Sequence, residues 1–216
     1  MLGVVAAILL SYLIGSFPSA IVIGRIFFGR DLRTEGSGNA GGTNAFRVFG
    51  WKAGLAVSVL DVAKGAVVAI FLSRLIDNTI VPREGAMLVT GLLAVIGHVW
   101  TVFGGFRGGK GVATAAGVVM VIAPLGFFAA LAAFSLVLMS TGIVSLSSMT
   151  AALTLSISIL VTTPADASPW LFGFALFATP FIMFTHRANI GRLLRGEEKR
   201  FEKVALLRRL FKPRAG

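Results

Sequence analysis

The chain has 216 residues, of which 56% are hydrophobic and 13% are charged, and its formal net charge at pH 7 is +11. Soluble domains carry about 25% charged residues, so this composition excludes an ordinary soluble domain and indicates an integral membrane protein with helical spans. The strict alternation of a membrane barrel is absent, and the lack of cysteine excludes disulfides and cysteine-ligated metals. With two histidines and nine carboxylates, we expect neither a metal site nor a cofactor.

The apolar stretches predict a polytopic all-α fold. The opening stretch has a long apolar run and no positively charged start, so we expect a retained first span and not a signal peptide. The predicted spans are 2–28, 53–73, 85–103, 145–162 and 169–185, together with the segment 112–141.

The first polar segment, 35–47, reads EGSGNAGGTNAFR. Its glycines, among them Gly38 and Gly41, can turn backbone N–H groups toward a common centre and form an anion-binding nest. Arg47 adds a forked cation that suits phosphate. The segment therefore predicts a phosphate cradle, and the alternative is an ordinary interhelical loop. The neutral donors are Ser37, Asn39, Thr43 and Asn44.

Two charged residues fall inside the second predicted span. Asp61 and Lys64 are three residues apart, so in a helix they share a face and can form an ion pair. An intramembrane charge is a functional candidate, yet a paired one also serves structure, and both interpretations stay open. His98, at the end of the next span, is a candidate for substrate contact, for general-base catalysis or for packing.

The second polar segment reads FRGGKGVAT. Gly104, Gly109 and Lys110 match the phosphate-loop spacing G-x-x-x-x-G-K, but Gly111 stands where a magnesium-binding serine or threonine is required, and no strand precedes it. We predict a simpler anion site. Its parts are Lys110, the flexible glycines and the N-terminus of a helix that begins at Val112; the alternative is a lysine that snorkels to the membrane surface. The candidate contacts are Gly108, Gly109, Lys110, Gly111 and Thr114.

The segment 112–141 decides the number of spans. Proline inside a helix costs about 3 kcal/mol, and proline with glycine favours a turn, so we expect a hairpin broken at residues 123–126. This gives seven spans, although the arm 112–122 rises only about 16 Å.

The Lys and Arg residues are concentrated in the loops 29–52 and 104–111 and in the C-terminal tail, where ten Lys and Arg residues follow His186 against three Glu. The positive-inside rule then places the N-terminus outside and the C-terminus in the cytoplasm. Nucleic-acid binding by the basic tail is disfavoured, because no aromatic interleaving or known module accompanies it.

Two further segments complete the candidate site on the cytoplasmic side. The residues 140–148, STGIVSLSS, predict a short polar loop that carries Ser145, with Ser147 and Ser148 as alternatives. In HRANIGRLLRGEEKR, a helix would place His186 and Asn189 on one face, with Arg192 one turn further. We interpret residues 195–214 as a basic end that stops membrane insertion.

Three segments, SGNAGGTNAFR, GHVWTVFGGFRGGKGVAT and HRANIGRLLRGEE, resemble in this order the bacterial membrane-integral glycerol-3-phosphate acyltransferases that use acyl-phosphate donors. The resemblance covers the whole chain. It implies a single transmembrane domain over 1–216 with a basic cytoplasmic tail from about 187, located in the bacterial cytoplasmic membrane with the active site on the cytoplasmic face.

The resemblance also implies the reaction and its residues. A fatty acyl group would pass from acyl phosphate to the sn-1 hydroxyl of glycerol 3-phosphate, giving lysophosphatidic acid and phosphate, and the donor phosphate itself would take the proton. Ser37, Arg47 and Lys110 would hold the phosphate of the donor. Glycerol 3-phosphate would contact Lys110, His186, Asn189, Arg47 and Ser145.

Two rival functions remain at this point. A carrier of phosphate-bearing solutes could use the same anion sites, but the polar residues lie on one side and inverted repeats are lacking. A phosphatidyl-type phosphotransferase would need an aspartate-rich metal motif, which the sequence lacks.

Overall fold

The computed structural model describes residues 1–164, 166, 168–201 and 204–207. Within these ranges every regular element is a helix, as the composition predicts. The chain divides into two compact units, Met1–Pro124 and Leu125–Gly216. The α-helices are α1 (Leu2–Gly15), α2 (Ser19–Phe28), α3 (Gly42–Val48), α4 (Trp51–Phe71), α5 (Arg83–Val99), α6 (Val112–Ile122), α7 (Pro124–Thr141), α8 (Val144–Thr162), α9 (Pro169–Thr185) and α10 (Arg187–Leu194).

Among the described residues, four helical segments are long and apolar enough to cross a membrane, and two bent helix pairs raise the number to six. The four are Trp51–Leu75, Arg83–Gly104, Pro124–Thr141 and Val144–Thr162. The bent pairs are α1 with α2, at 41°, and α9 with α10, at 65°. Helix α6 is apolar but has only 11 residues, so a seventh span stays a prediction.

The first span is not the continuous helix that we expected over 2–28, because it breaks at residues 16–18. Pro18 lacks an N–H and restricts the residue before it. Two side chains compensate for the break: Thr101 donates its hydroxyl to the Ser16 carbonyl, and Lys64 Nζ lies 3.0 Å from the Phe17 carbonyl oxygen, to which it donates. A broken helix is tolerated at membrane depth when neighbouring groups satisfy its backbone in this way.

The break in the segment 112–141 is confirmed, although it is tighter than predicted. Helix α6 ends at Ile122 and α7 begins at Pro124, so only Ala123 lies between them. Leu125 and Gly126 belong to α7 and not to a turn. Proline is well suited to the first position of a helix, where its missing N–H has no partner to lose.

In the first unit, glycines allow the helix backbones to approach closely. Gly15 of α1 lies against Ala94 of α5, and Gly65 of α4 lies against Thr114 of α6. Gly117 of α6 in turn contacts the Val62 carbonyl of α4. Small residues at helix crossings provide the van der Waals packing on which association in lipid depends. They hold α1 against α5 and α4 against α6, and α4, α5 and α6 carry Asp61, His98 and the segment after Lys110.

In the second unit, polar side chains join α8 to α9. Ser156 donates its hydroxyl to the Ala175 carbonyl at 2.7 Å, and Thr179 donates to the Ala152 carbonyl at 3.0 Å. The predicted loop 140–148 is wrong in its extent. Only Gly142 and Ile143 lie between α7 and α8, so the candidate serines Ser145, Ser147 and Ser148 belong to helix α8.

Candidate active site

The first polar segment is partly helical and not a flexible loop throughout. Residues 42–48 form α3, and Asn44 within it is fully buried. Its Oδ1 accepts a hydrogen bond from the Ser37 N–H at 2.9 Å, and its Nδ2 donates to the carbonyls of Leu32 at 3.1 Å and Glu35 at 2.9 Å. A side-chain amide has two N–H donors, and Asn44 donates both to backbone carbonyls. This buried side chain therefore fixes the conformation of the segment.

Three backbone N–H groups of this segment do not contribute to the anion nest that we predicted, because they donate to other groups of the protein. The N–H groups of Ser37, Gly38 and Gly41 donate to Asn44 Oδ1, the Glu35 carbonyl and the Asn39 carbonyl, respectively. The side chains of this segment are the other means of anion recognition. Arg47 lies half-buried in the last turn of α3, and Ser37 is exposed. Asn39 and Thr43 are partly exposed.

The second polar segment is fastened to the end of α5. The Gly108 N–H donates to the Val99 carbonyl and the Gly109 N–H donates to the His98 carbonyl, both at 3.1 Å. These two amides are therefore also committed within the protein. Gly111 adopts a left-handed conformation, with φ of 82°, and caps α6. The first turn of α6 carries N–H groups without intrahelical partners, and Lys110 lies directly before it.

Gly109 is the point where the two polar segments meet. A side chain there would overlap Nε2 of His98, and its Cβ would lie 3.1 Å from the Ala40 carbonyl oxygen. Only a glycine fits between this imidazole and this backbone. The sequence predicted that glycines permit close backbone approach, and the structure identifies the approaching groups as parts of the protein itself.

Arg33, in the basic loop 29–52, connects the chain before the first polar segment to the chain before the second. Arg33 binds Asp31 through two nitrogens, at 3.0 and 2.8 Å, and donates to the Gly104 carbonyl at 2.6 Å. The hydrogen bonds from Arg33, followed by that from Arg25, hold the pKa of Asp31 well below its usual range despite partial burial. The chain before the first segment is thus tied to the chain before the second.

A buried polar cluster of Ser19, Asp61, Lys64 and His98 lies beneath Gly109. The predicted ion pair is confirmed, with Lys64 Nζ 2.9 Å from Asp61 Oδ1. The same carboxylate oxygen accepts the Ser19 hydroxyl at 2.6 Å and lies 3.5 Å from His98 Nδ1. A cavity of about 10 Å³ adjoins the cluster and is lined by Lys64, His98 and Gly109 among others, which is close to the room that one water needs.

Thr114, another candidate contact, lies inside the helix packing. It is fully buried, its backbone oxygen and methyl group face Gly65, and its hydroxyl has no hydrogen-bond partner in the described part of the chain.

In the second unit, Glu198 organises the residues that the sequence singled out. Its Oε1 accepts hydrogen bonds from Ser145 at 2.8 Å and Asn189 at 2.6 Å, and its Oε2 accepts one from Arg192 at 2.7 Å. The side chain is 6% exposed. Burial acts to raise the pKa of Glu198, but the bonds from Asn189, Arg192 and Ser145 together lower it.

Glu198 is a residue that sequence reasoning missed, because residues 195–214 read only as a basic end. The sequence signal that could have identified Glu198 is the pair of adjacent acidic residues in an otherwise basic tail. The structure also distinguishes the serines: Ser147 and Ser148 donate to the carbonyls of Ile143 and Val144 within their own helix, whereas Ser145 reaches a side chain.

His186 lies at the junction of α9 and α10. It is 2% exposed, and its Nδ1 lies 2.9 Å from the Ile182 carbonyl oxygen. The predicted helix over this segment is confirmed from residue 187, and it presents Asn189 and Arg192 to the same carboxylate.

The chain is similar to known proteins over most of its length. The family model described as "Glycerol-3-phosphate acyltransferase" matches residues 5–196. Two relatives with that name, from Chlorobium phaeobacteroides (strain BS1) and Chlorobaculum parvum, are 43% and 44% identical and align over 93% of this chain and 97% of their own.

Two solved structures are also similar, and both are of PlsY (YgiH), an integral membrane glycerol 3-phosphate acyltransferase. The glycerol 3-phosphate form has a TM-score of 0.82 at 35% identity, and the lysophosphatidic acid form has 0.79 at 33%. Each alignment covers 96% of this chain and 98% of the other. The chain belongs to the glycerol-3-phosphate acyltransferase family.

Proposed function

We propose that this protein transfers a fatty acyl group from acyl phosphate to the sn-1 hydroxyl of glycerol 3-phosphate, and that the products are lysophosphatidic acid and inorganic phosphate. Family membership supports acyl transfer to glycerol 3-phosphate. The solved relatives were captured in glycerol 3-phosphate and lysophosphatidic acid forms, which are an acceptor and a product of this reaction.

The observation that carries the proposal is the meeting of the two polar segments at Gly109. Each segment brings one half-buried cation, Arg47 from α3 and Lys110 from before α6. Since the N–H groups of Gly38, Gly41, Gly108 and Gly109 donate within the protein, charge-assisted bonds from these side chains and the α6 N-terminus would hold the donor phosphate. Ser37 would add a neutral hydroxyl donor. The same cations would stabilise the oxyanion that develops on the acyl carbonyl.

In the chemical step, the sn-1 oxygen attacks the acyl carbonyl carbon and the bond between this carbon and the phosphate oxygen breaks. The hydroxyl proton passes to the departing phosphate. A protein base is not needed, since the second ionisation of a phosphate monoester lies near a pKa of about 6. Both histidines are buried and face protein groups, Asp61 for His98 and the Ile182 carbonyl for His186, which supports binding or positioning roles.

Within the second unit, Ser145, Asn189 and His186 are the proposed contacts for glycerol 3-phosphate. Ser145 and Asn189 share Glu198 as a hydrogen-bond acceptor. Such an arrangement fixes their side chains before substrate arrives.

For the membrane arrangement we propose seven spans, with α6 as a short additional one, in the bacterial cytoplasmic membrane. The N-terminus would lie outside and the C-terminus in the cytoplasm, with the active site on the cytoplasmic face. The excess of Lys and Arg in 29–52, 104–111 and the tail supports this orientation.

Purified protein supplied with acyl phosphate and glycerol 3-phosphate tests the proposal. It should release phosphate and form 1-acyl lysophosphatidic acid in equal amounts, and omission of either substrate should stop both. Phosphate release that does not require glycerol 3-phosphate would instead indicate a hydrolase.

A further inference from the structure

We propose that Asp61 is a positioning residue for the proposed phosphate-binding segment. It holds the Nδ1 side of His98, the opposite edge of His98 supports Gly109, and Gly109 sets the position of Lys110. This inference rests on the proposed function, because it assumes that Lys110 binds phosphate.

The first link is the carboxylate. Asp61 is 1% exposed, and its Oδ1 is surrounded by the Ser19 hydroxyl, the Lys64 ammonium and His98 Nδ1. These three groups come from α2, α4 and α5. A carboxylate on one ring nitrogen of a histidine fixes the ring orientation and the tautomer that the other nitrogen presents.

The second link is the imidazole. Its Nε2 edge lies so close to Gly109 that a Cβ cannot be accommodated, and the His98 carbonyl accepts the Gly109 N–H at 3.1 Å. His98 therefore contacts the residue directly before Lys110 through both its side chain and its backbone. A rotated imidazole would move Gly109 or leave a gap beneath it.

Energetics favour such a role over a purely structural one. A buried ion pair is weak evidence for stability, since well-packed apolar residues often replace it at no loss. Lys64 also has a second task, donation to the Phe17 carbonyl at the break between α1 and α2. We therefore assign the charge of Asp61 to its contact with His98, where it fixes the orientation of the imidazole.

The test compares purified variants by thermal unfolding, by calorimetric affinity for inorganic phosphate without substrates, and by kcat and KM for acyl phosphate. Asp61→Asn should fold, lower the affinity for inorganic phosphate and raise the KM for acyl phosphate, each by about tenfold to a hundredfold, because a displacement near 1 Å has costs of this order. Ser19→Ala, which removes one bond to the carboxylate, should change them in the same direction by about threefold.

Two variants separate positioning from stability. Asp61→Asn/Lys64→Met removes both charges, so it should unfold at a higher temperature than Asp61→Asn and keep the same affinity defect. Thr90→Val is the matched control: Thr90 is equally buried and lies on the same helix as His98, and among the described residues its hydroxyl donates only to carbonyls of that helix. It should retain wild-type affinity and KM.

Wild-type affinity in a folded Asp61→Asn or double variant would overturn the inference, as would an equal defect in Thr90→Val. Lys110→Ala distinguishes this outcome from failure of the proposed function. If Lys110→Ala binds inorganic phosphate normally, the assignment of Lys110 is wrong. If it loses binding while the Asp61 variants do not, only the positioning role is wrong.

Discussion

At the residue scale, Arg47 and Lys110 carry most of the proposed phosphate binding. The amides of Ser37, Gly38, Gly41, Gly108 and Gly109 donate within the protein, so the two cations have few substitutes. Arg47→Ala and Lys110→Ala should each lower kcat/KM by about tenfold to a hundredfold, since a hydrogen bond to a charged group contributes roughly 1.5–3 kcal/mol.

The control for these variants is Lys52→Ala. Lys52 is an exposed cation five residues after Arg47, and its ammonium lies over the Trp51 ring. The Lys52→Ala variant should turn over acyl phosphate and glycerol 3-phosphate at the wild-type rate in the same assay. Turnover near wild type in Arg47→Ala or Lys110→Ala would show that the phosphate site has been misassigned.

Glu198 gives a prediction about pH. Its pKa is lowered in the folded protein, so the stabilisation is present above the ordinary glutamate pKa near 4.5 and is lost as pH falls through the lowered value. Glu198→Gln should reduce the thermal unfolding temperature by about 3–10 °C at pH 7 and by less at pH 4. An equal deficit at both pH values would contradict the role of the charge.

The residue types of the site are predictable from sequence, whereas their partners are not. Gly, Arg, Lys and Asn in the polar segments indicate anion chemistry directly. That Asn44 faces inward, or that Glu198 joins Ser145, Asn189 and Arg192, depends on tertiary contacts across up to 53 positions of sequence, which no local pattern encodes.

At the element scale, Gly109 shows how close packing constrains the site. Gly109→Ala would push a methyl group into His98 Nε2 and close to the Ala40 carbonyl, so one of these groups must move. We expect loss of most activity, on the order of a hundredfold, with the protein still inserted in membranes.

The matched control for Gly109→Ala is Gly173→Ala. Gly173 lies in α9, where a Cβ would meet nothing within 4 Å. Since alanine favours a helix by about 1 kcal/mol over glycine, this variant should be fully active and equally or slightly more stable. Equal activity of the two variants would contradict the tight fit at Gly109.

The helix breaks differ in how readily they can be predicted. Pro124 lies in the middle of a long apolar segment, where a continuous helix would be costly, so that break follows from sequence. Pro18 lies between Ser16 and Ser19 in a stretch long enough to be taken for one span, and its break is stabilised by Thr101 and Lys64 from distant elements. Helix α3 was missed because glycine and asparagine disfavour helix, and buried bonds from Asn44 outweigh that preference.

At the scale of the whole molecule, the proposed topology can be tested by single cysteines, because the natural chain has none. Thr34, Thr79, Arg107 and Arg200 are exposed positions outside the α-helices. Cysteines at 34, 107 and 200 should react with an impermeant maleimide only from the cytoplasmic side, and a cysteine at 79 only from outside. Labelling of position 200 from outside would contradict seven spans, since six spans place the tail there.

The central claim is that acyl phosphate is the donor. Its phosphate would be held by Arg47 and Lys110, accept the proton and depart, whereas a thioester offers no such group at the reacting carbonyl. The most direct measurement compares the turnover of purified protein with acyl phosphate, acyl-CoA and acyl carrier protein of the same chain length, at saturating glycerol 3-phosphate. The account predicts lysophosphatidic acid from acyl phosphate and none above background from either thioester. Comparable turnover with a thioester would contradict it and make a histidine the general base.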